Sequence, residues 1–202
     1  MNDFLQVGRK KELFYITLEF DKEINDIMLL EILILTDKYY SGYKITTKFG
    51  EEKEIWHDAV FAGKISNMLK EKCNIRFHFD MPYFFQNGNH VTKKFVTDSC
   101  SISLINHSDS DEKNLLLFDL YADLFTDIVY VPTPPNWKDT EWYQKKAAQK
   151  NRKILSDFLK ALESMLEGSI VESLSDHHLN PNSIFKYGIK EDATCEKPTV
   201  FD

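Results

Sequence analysis

The feature that most constrains this chain is a long amphipathic segment over residues 139–167. Its apolar residues recur every three or four positions, as in a helix that lays one face on a core. Its bases fill the first half and its acids the second: Lys145, Lys146, Lys150, Arg152, Lys153, Asp157, Glu163 and Glu167. An isolated helix prefers the opposite order by roughly 0.3 to 1 kcal/mol per charge, because its N-terminus is the positive end of its dipole. We therefore expect another element or a partner to set these charges.

The same segment carries the signals of helix ends. Asp139 or Thr140 can cap its N-terminus, and Gly168 can end it. The preceding residues 131–136 contain three prolines, which exclude a helix and a central strand there. The pattern therefore predicts a long C-terminal helix after an extended linker, with a further short helix over residues 170–179.

Two periodicities divide the earlier part of the chain. Residues 13–20 and 74–85 alternate apolar and polar side chains, as half-buried strands do, and residues 91–105 follow the next turn as one strand or as two. Residues 27–36 form a near-continuous aliphatic run, which fits a central strand, with a short helix as the alternative. Residues 51–72 place apolar side chains at spacings of three and four, with acids in the first turn and bases in the last. That order follows the helix dipole and predicts a middle helix.

Together these elements predict an α+β fold. We expect an antiparallel or mixed sheet packed by the middle helix, at about 51–72, and by the long C-terminal helix, at about 139–167. A length of 202 residues suits one domain, which we place at residues 1–180, with residues 181–202 as a tail. The apolar segment 115–131 fits either a strand or a helix.

The charge balance narrows the classes of partner. The formal charge is −7, and residues 101–202 hold 11 bases against 17 acids. Nucleic-acid affinity depends on neutralising phosphates, so an acidic surface argues against a nucleic-acid partner. It favours a basic protein partner, or it serves solubility. The three cysteines form no CxxC pair, and no apolar signal core or membrane span is evident, so we expect a cytoplasmic protein.

Asp119, Asp123 and Asp127 are spaced by four, which places them on one face of either a helix or a strand. Carboxylates bind divalent cations, but in a strand neighbouring members of this row would lie about 13 Å apart, too far to share one ion. A docking face for a basic partner is the better interpretation. An internal pairing with the basic half of the long helix would also explain both charge clusters, and we prefer it to nucleic-acid contact.

Catalytic signatures are missing from the sequence. It contains no Gly-x-Ser-x-Gly, no glycine-rich phosphate loop and no zincin motif, and only seven glycines in all. We therefore predict no catalytic residues, no metal and no cofactor. The aromatic residues beside the charged helix instead fit the anchors of a protein interface.

The sequence thus predicts a non-enzymatic, acidic protein-binding module, in its best-fitting form an immunity- or antitoxin-type inhibitor of a basic protein. Its predicted partner-binding residues are Asp119, Asp123, Asp127, Trp137, Trp142 and Tyr143. The alternative is a metal-dependent enzyme acting on a phosphate-containing substrate, with the aspartates as metal ligands. A third hypothesis is a subunit that self-associates through the long helix, as a homo-oligomer.

Overall fold

The computed structural model of the protein describes most of the chain. The described residues are 13–41, 44–46, 74–107, 112–133, 138–175 and 184–190. The predicted middle helix, at 51–72, and the predicted anchor Trp137 lie outside these residues.

The described strands form one main sheet and two separate hairpins. They are β1 (Leu13–Phe20), β2 (Lys44–Thr46), β3 (Asn74–Asn87), β4 (His90–Ile105), β5 (Asn114–Tyr121), β6 (Ile128–Thr133), β7 (Lys138–Tyr143), β8 (Ser169–Ser175), β9 (Ile184–Phe185) and β10 (Gly188–Ile189). Within the described residues, the main sheet has six strands in the order β2-β3-β4-β5-β1-β8, and every neighbouring pair is antiparallel. With two helices described beside the sheet, the α+β class is confirmed.

The strand β1 shows why these residues form a sheet. Phe14, Ile16, Leu18 and Phe20 alternate with half-buried residues and are fully or almost fully buried. Because side chains alternate between the two faces of a strand, one face of β1 lies against a core and the other lies on the open side of the sheet. The predicted strand over residues 13–20 is confirmed.

The first helix, α1 (Asp26–Tyr39), corrects the predicted central strand over residues 27–36 and confirms the helix that was its alternative. Asn25 caps it, because its Oδ1 accepts a hydrogen bond from the Met28 N–H at 3.0 Å. A continuous aliphatic run has no periodicity that separates a buried strand from a helix. The cap and the length of the element therefore decide its type.

The second helix, α2 (Lys145–Leu166), begins six residues later than the predicted helix. Residues 138–143 form β7 instead and pair with β6, so Asp139 and Thr140 lie in a strand and do not cap the helix. The helix ends as expected, with Glu167 in the left-handed region at φ 53° and the Gly168 N–H donating to the Glu163 carbonyl at 3.0 Å.

The chain after α2 returns to the sheet. Residues 169–175 form β8 and pair with β1, so the predicted short helix over residues 170–179 is wrong in its described part. Residues 184–190 contain the β9–β10 hairpin, whose Ile189 is buried and whose Tyr187 hydroxyl donates to Glu163 Oε2 at 2.6 Å. This part of the predicted tail therefore contacts α2. The division at residue 180 stays a prediction.

The core lies between the helices and one face of the sheet. Phe158 of α2 stands near its centre, and its ring meets Tyr39, Tyr40 and Phe118 edge to face at centroid distances of 5.6 to 6.0 Å. These contacts join both helices to β5. Edge-to-face pairs of this kind add roughly 0.5 to 1.5 kcal/mol each to the burial of their area.

Candidate protein-interaction surfaces

The three predicted aspartates do not share one face, contrary to the prediction. Asp119 lies on β5, but the strand ends at Tyr121 and a single 3-10 turn follows over Ala122–Leu124. Asp123 is buried within that turn, and Asp127 is buried just before β6. The even-spacing argument fails because it assumes one regular element over residues 115–131, whereas the turn breaks the period. Asp123 and Asp127 are therefore buried side chains, and a partner-binding role for them stays a prediction.

Asp119 lies on the open side of the sheet, where its charge is already matched. Its carboxylate forms an ion pair with Arg76 and accepts a hydrogen bond from Ser101 Oγ at 2.7 Å. The Arg76 guanidinium also donates to Ser101 Oγ, from Nη2 at 2.8 Å and from Nε at 3.1 Å. Arg76, Ser101 and Asp119 thus form a polar network across three neighbouring strands. A partner-binding role for Asp119 stays a prediction.

Asp127 pairs with Arg152 inside the molecule. The side chains are only 9% and 7% exposed, and Oδ1 lies 2.8 Å from Nη1. Nη1 directs its hydrogen bond to the Phe125 carbonyl at 2.8 Å, so the contact with Asp127 is an ion pair without an aligned hydrogen bond. The predicted internal pairing of the aspartates with the basic half of the helix is confirmed for these two residues.

Two amide side chains that the sequence reading missed hold the turn before β6. Gln144 donates from Nε2 to the carbonyls of Asp123 and Thr126, the latter at 3.0 Å. Asn151 donates from Nδ2 to the Leu124 carbonyl at 2.8 Å. Together with Arg152, these donors satisfy carbonyls that the 3-10 turn leaves free. No sequence spacing signals such contacts, because the partners are close only in space.

The N-terminus of α2 is capped by a residue from outside the helix. Gln144 stands at the cap position but forms no side-chain cap, and the first turn holds no acid. Gln86 of β3 supplies the acceptor instead, since its Oε1 takes the Lys146 N–H at 2.8 Å. A neutral amide from the sheet thus satisfies one of the donors that helix N-termini leave free.

Two lysines in the first half of α2, Lys146 and Lys150, form an exposed surface with the part of the β3–β4 hairpin near its turn. Lys150 Nζ lies 4.8 Å from the centroid of the Phe84 ring. Lys93 stands opposite Phe84 in the strand register, and Phe95, on the same face of β4, is 55% exposed. We call Lys93, Phe95, Lys146 and Lys150 the lysine surface. It combines exposed positive charge with an exposed aromatic ring.

The predicted aromatic anchors differ in how far they are exposed. Trp142 is half-buried, and its Nε1 donates to the Gln86 carbonyl at 2.9 Å, so this indole packs on the edge of β3. Tyr143 is 62% exposed, with its hydroxyl hydrogen-bonded to Glu141. Trp137 lies outside the described residues. Contact of Trp142 and Tyr143 with a partner stays a prediction.

A second exposed surface lies on α1, where the sequence reading placed a strand. The inner side of the helix is buried at Met28, Leu29, Ile32, Leu33 and Thr36. On the outer side Ile27 is 71% and Ile34 is 62% exposed, with the half-buried Leu30 between them. We call Ile27, Leu30 and Ile34 the outer α1 surface. A helix that is apolar on both sides is typical of an element covered on both sides.

The outer α1 surface belongs to an acidic part of the chain. Residues 19–39 contain six acids and two bases, a net charge of −4. Glu23 and Asp26 are exposed beside the start of the helix. Glu31, on the helix, is partly balanced by Lys22 at 3.7 Å. The apolar stripe therefore has an acidic rim.

The arrangement gives little support to the metal-dependent enzyme. Asp119 is engaged by Arg76, while Asp123 and Asp127 are buried, so the three carboxylates do not converge on one ion. In the described part of the chain, no group of three or more histidine, cysteine or acidic residues is placed to hold a metal. None of the described helices has the length and apolarity to cross a membrane.

Comparisons of the chain with protein-family models, with curated proteins and with solved structures returned no match. The outer α1 surface and the lysine surface are the two exposed surfaces of the described residues that fit a protein partner.

Proposed function

We propose that this chain is a protein-binding module that engages a basic protein through the outer α1 surface. The observation that carries the proposal is the exposure of Ile27 and Ile34 on a helix whose other side is already buried in the core. Single exposed aliphatic residues are ordinary on protein surfaces. Here the exposed residues stand at positions i and i+7 with Leu30 between them, so they form one stripe that a partner can cover.

The rim of the stripe defines the chemistry of the partner. Acidic residues around an apolar centre give an interface in which burial supplies affinity and charge supplies specificity and rate of encounter. A partner helix or loop with apolar residues flanked by lysine or arginine would match both parts. Burying one isoleucine side chain contributes roughly 1.5 to 3 kcal/mol, so Ile27 and Ile34 would be the main apolar anchors of the contact.

In its finer form, the proposal is that the chain inhibits its partner, as an immunity protein or antitoxin neutralises a basic toxin. The acidic rim supports this version, because a bound acidic surface covers the positive charge that many toxins need at their targets. A neighbouring gene for a basic toxin in the genome of the source organism would support it further. A neighbouring gene set without such a protein would leave only the general binding function.

The test begins with affinity capture from the native host at about 0.05 M and about 0.5 M salt, conditions that span weak and strong screening. The captured protein is then purified and titrated calorimetrically against three forms of the chain. We expect the wild type to bind, and Ile27→Ser/Ile34→Ser to lose binding. The control Val171→Ser/Leu174→Ser replaces two half-exposed aliphatic residues on β8 and should retain it. Unchanged binding by the α1 variant, or an acidic partner, would overturn the proposal.

A further inference from the structure

We infer that copies of this chain associate with one another, the outer α1 surface of one copy docking on the lysine surface of the next. The inference rests on the proposed docking role of the outer α1 surface and adds a second occupant for it. The third hypothesis from the sequence was self-association through the long helix. The structure offers two unlike surfaces, one on α1 and one formed by α2 with the β3–β4 hairpin.

The lysine surface carries charge that the described residues do not neutralise. Lys153, on the same helix, pairs with Asp157 at 2.8 Å. By contrast, Lys93, Lys146 and Lys150 form no ion pair with any residue in the described part of the chain. Among the described residues the surface is thus a positive area, in a chain whose formal charge is −7.

The two surfaces are complementary in both charge and apolar content. The outer α1 surface presents aliphatic side chains beside Glu23 and Asp26. The lysine surface presents the Phe95 ring beside Lys93 and Lys150. A contact between them would bury apolar groups at its centre and place opposite charges at its rim, which is the usual arrangement of a protein interface. The matching partner for each surface is therefore present in the chain itself.

The two surfaces cannot meet within one molecule. The C-terminal end of α1 packs on Phe158 through Tyr39 and Tyr40. Just before its N-terminal end, Lys22 Nζ donates to the Met165 carbonyl at 3.3 Å. These contacts at and beside the two ends of α1 thus fall at residues 158–165 of α2, about 12 to 22 Å along the α2 axis from Lys150. Their complementarity can be used only between copies.

Each copy has one outer α1 surface and one lysine surface, and each contact joins two unlike surfaces. A two-fold pair of copies uses all four surfaces and closes at a dimer. In such a dimer the outer α1 surface is covered, and a basic partner must displace the second copy. Self-association would then set the concentration at which the binding module becomes available.

Sedimentation velocity over a concentration series tests the contact. We expect the wild type to associate and the association to weaken as salt rises from about 0.05 M to about 0.5 M. Lys146→Glu/Lys150→Glu should weaken it by at least about tenfold, since two rim charges reverse sign. Lys160→Glu/Lys190→Glu makes the same change of charge at two exposed lysines elsewhere and should leave the association unchanged. Thermal melts verify that each variant is folded.

A mixing experiment identifies the two faces. Ile27→Ser/Ile34→Ser and Lys146→Glu/Lys150→Glu should each be monomeric alone, because each lacks one surface. An equimolar mixture should form a 1:1 complex, because the first variant keeps the lysine surface and the second keeps the outer α1 surface. A wild type that stays monomeric at about 100 µM, or a mixture without a complex, would overturn the inference. Binding of a basic partner by Lys146→Glu/Lys150→Glu measures the proposed function separately.

Discussion

Asn151 pairs with the main chain of Phe84 as a neighbouring strand would. Its Oδ1 accepts the Phe84 N–H and its Nδ2 donates to the Phe84 carbonyl, both at 2.9 Å. The strand β2 covers only residues 78–80 of this edge of β3, so the edge around Phe84 has no strand beside it among the described residues. Gln86 continues the pattern through its contacts with Trp142 and the Lys146 amide. The long helix thus closes the edge of a sheet, which would otherwise be open to pairing with another chain.

Replacing Asn151 with leucine should destabilise the fold by about 2 to 4 kcal/mol, because one change leaves three backbone groups of Phe84 and Leu124 unpaired. Urea unfolding at neutral pH measures this loss. The control Ser164→Ala alters an exposed position of the same helix and should stay within about 0.5 kcal/mol of the wild type. A loss below about 1 kcal/mol for the leucine variant would contradict the role of the side chain at the strand edge.

The buried pair of Asp127 and Arg152 should show strong coupling. Arg152→Met should cost about 3 to 5 kcal/mol, because it leaves the Asp127 carboxylate buried without its counter-charge. The double variant Arg152→Met/Asp127→Leu should recover part of that loss, since both charges are then removed. A double-mutant cycle in urea measures the coupling. Strictly additive losses would show that the two charges do not interact.

Glu163 should make stability depend on pH on the acid side. Partial burial alone would raise the pKa of its carboxyl, but hydrogen bonds from Lys186, Tyr187 and the Ile170 amide lower that pKa below the ordinary value of 4.5. The folded state therefore holds the ionised form more tightly than the unfolded state does. The resulting stability is present above about pH 4.5 and is lost as the pH falls through the lowered value.

The measurement for Glu163 is the free energy of unfolding of the wild type and of Glu163→Gln between about pH 7 and about pH 3. We expect the glutamine variant to be less stable at neutral pH and the difference between the two proteins to shrink toward the acid end. The control Glu172→Gln removes an exposed carboxylate from β8 and leaves the Glu163 hydrogen bonds in place. A difference that grows on acidification would be the wrong sign.

Gly168 should not tolerate a side chain, because α2 approaches β1 at this residue. A Cβ there would lie 2.5 Å from the Glu19 carbonyl oxygen and 2.9 Å from Leu18 Cδ2. Gly168→Ala should therefore cost about 1 to 3 kcal/mol. At Gly88 a Cβ meets nothing within 4 Å, although φ is +56°, so Gly88→Ala should cost only about 1 kcal/mol, for its backbone conformation. Thermal unfolding of both variants separates close packing from conformational strain.

Sequence periodicity recovered the elements that keep one period along their whole length. The alternation in β1 and the apolar stripe of α2, with its end at Gly168, are both present in the structure. Elements with uniform or conflicting composition were misassigned. The aliphatic run of α1 has no period, and the charged residues of β7 resemble the start of the helix that follows them.

The candidate surfaces were harder to predict than the fold. The outer α1 surface depends on which side of the aliphatic run in α1 is buried, and that is decided by residues far away in the sequence. The buried role of Arg152 also depends on the 3-10 turn that brings Asp127 to it. Lys146 and Lys150 are basic residues of the same helix segment as Arg152, and yet they are exposed. The reversed charge order indicated that another element or a partner sets these charges, and it could not identify Asp127 as the counter-charge of Arg152.

The position of β1 in the sheet has a consequence for how the protein is made. This strand lies between β5 and β8, which begin only at Asn114 and Ser169. After β1 a ribosome therefore adds residues 21–113 before the first of these partners exists, and residues 21–168 before the second. Pairings between such distant segments fold slowly, since a long loop must close before any contact is gained. During that interval an apolar strand stays without its sheet partners, and we expect chaperones to protect it from aggregation during synthesis.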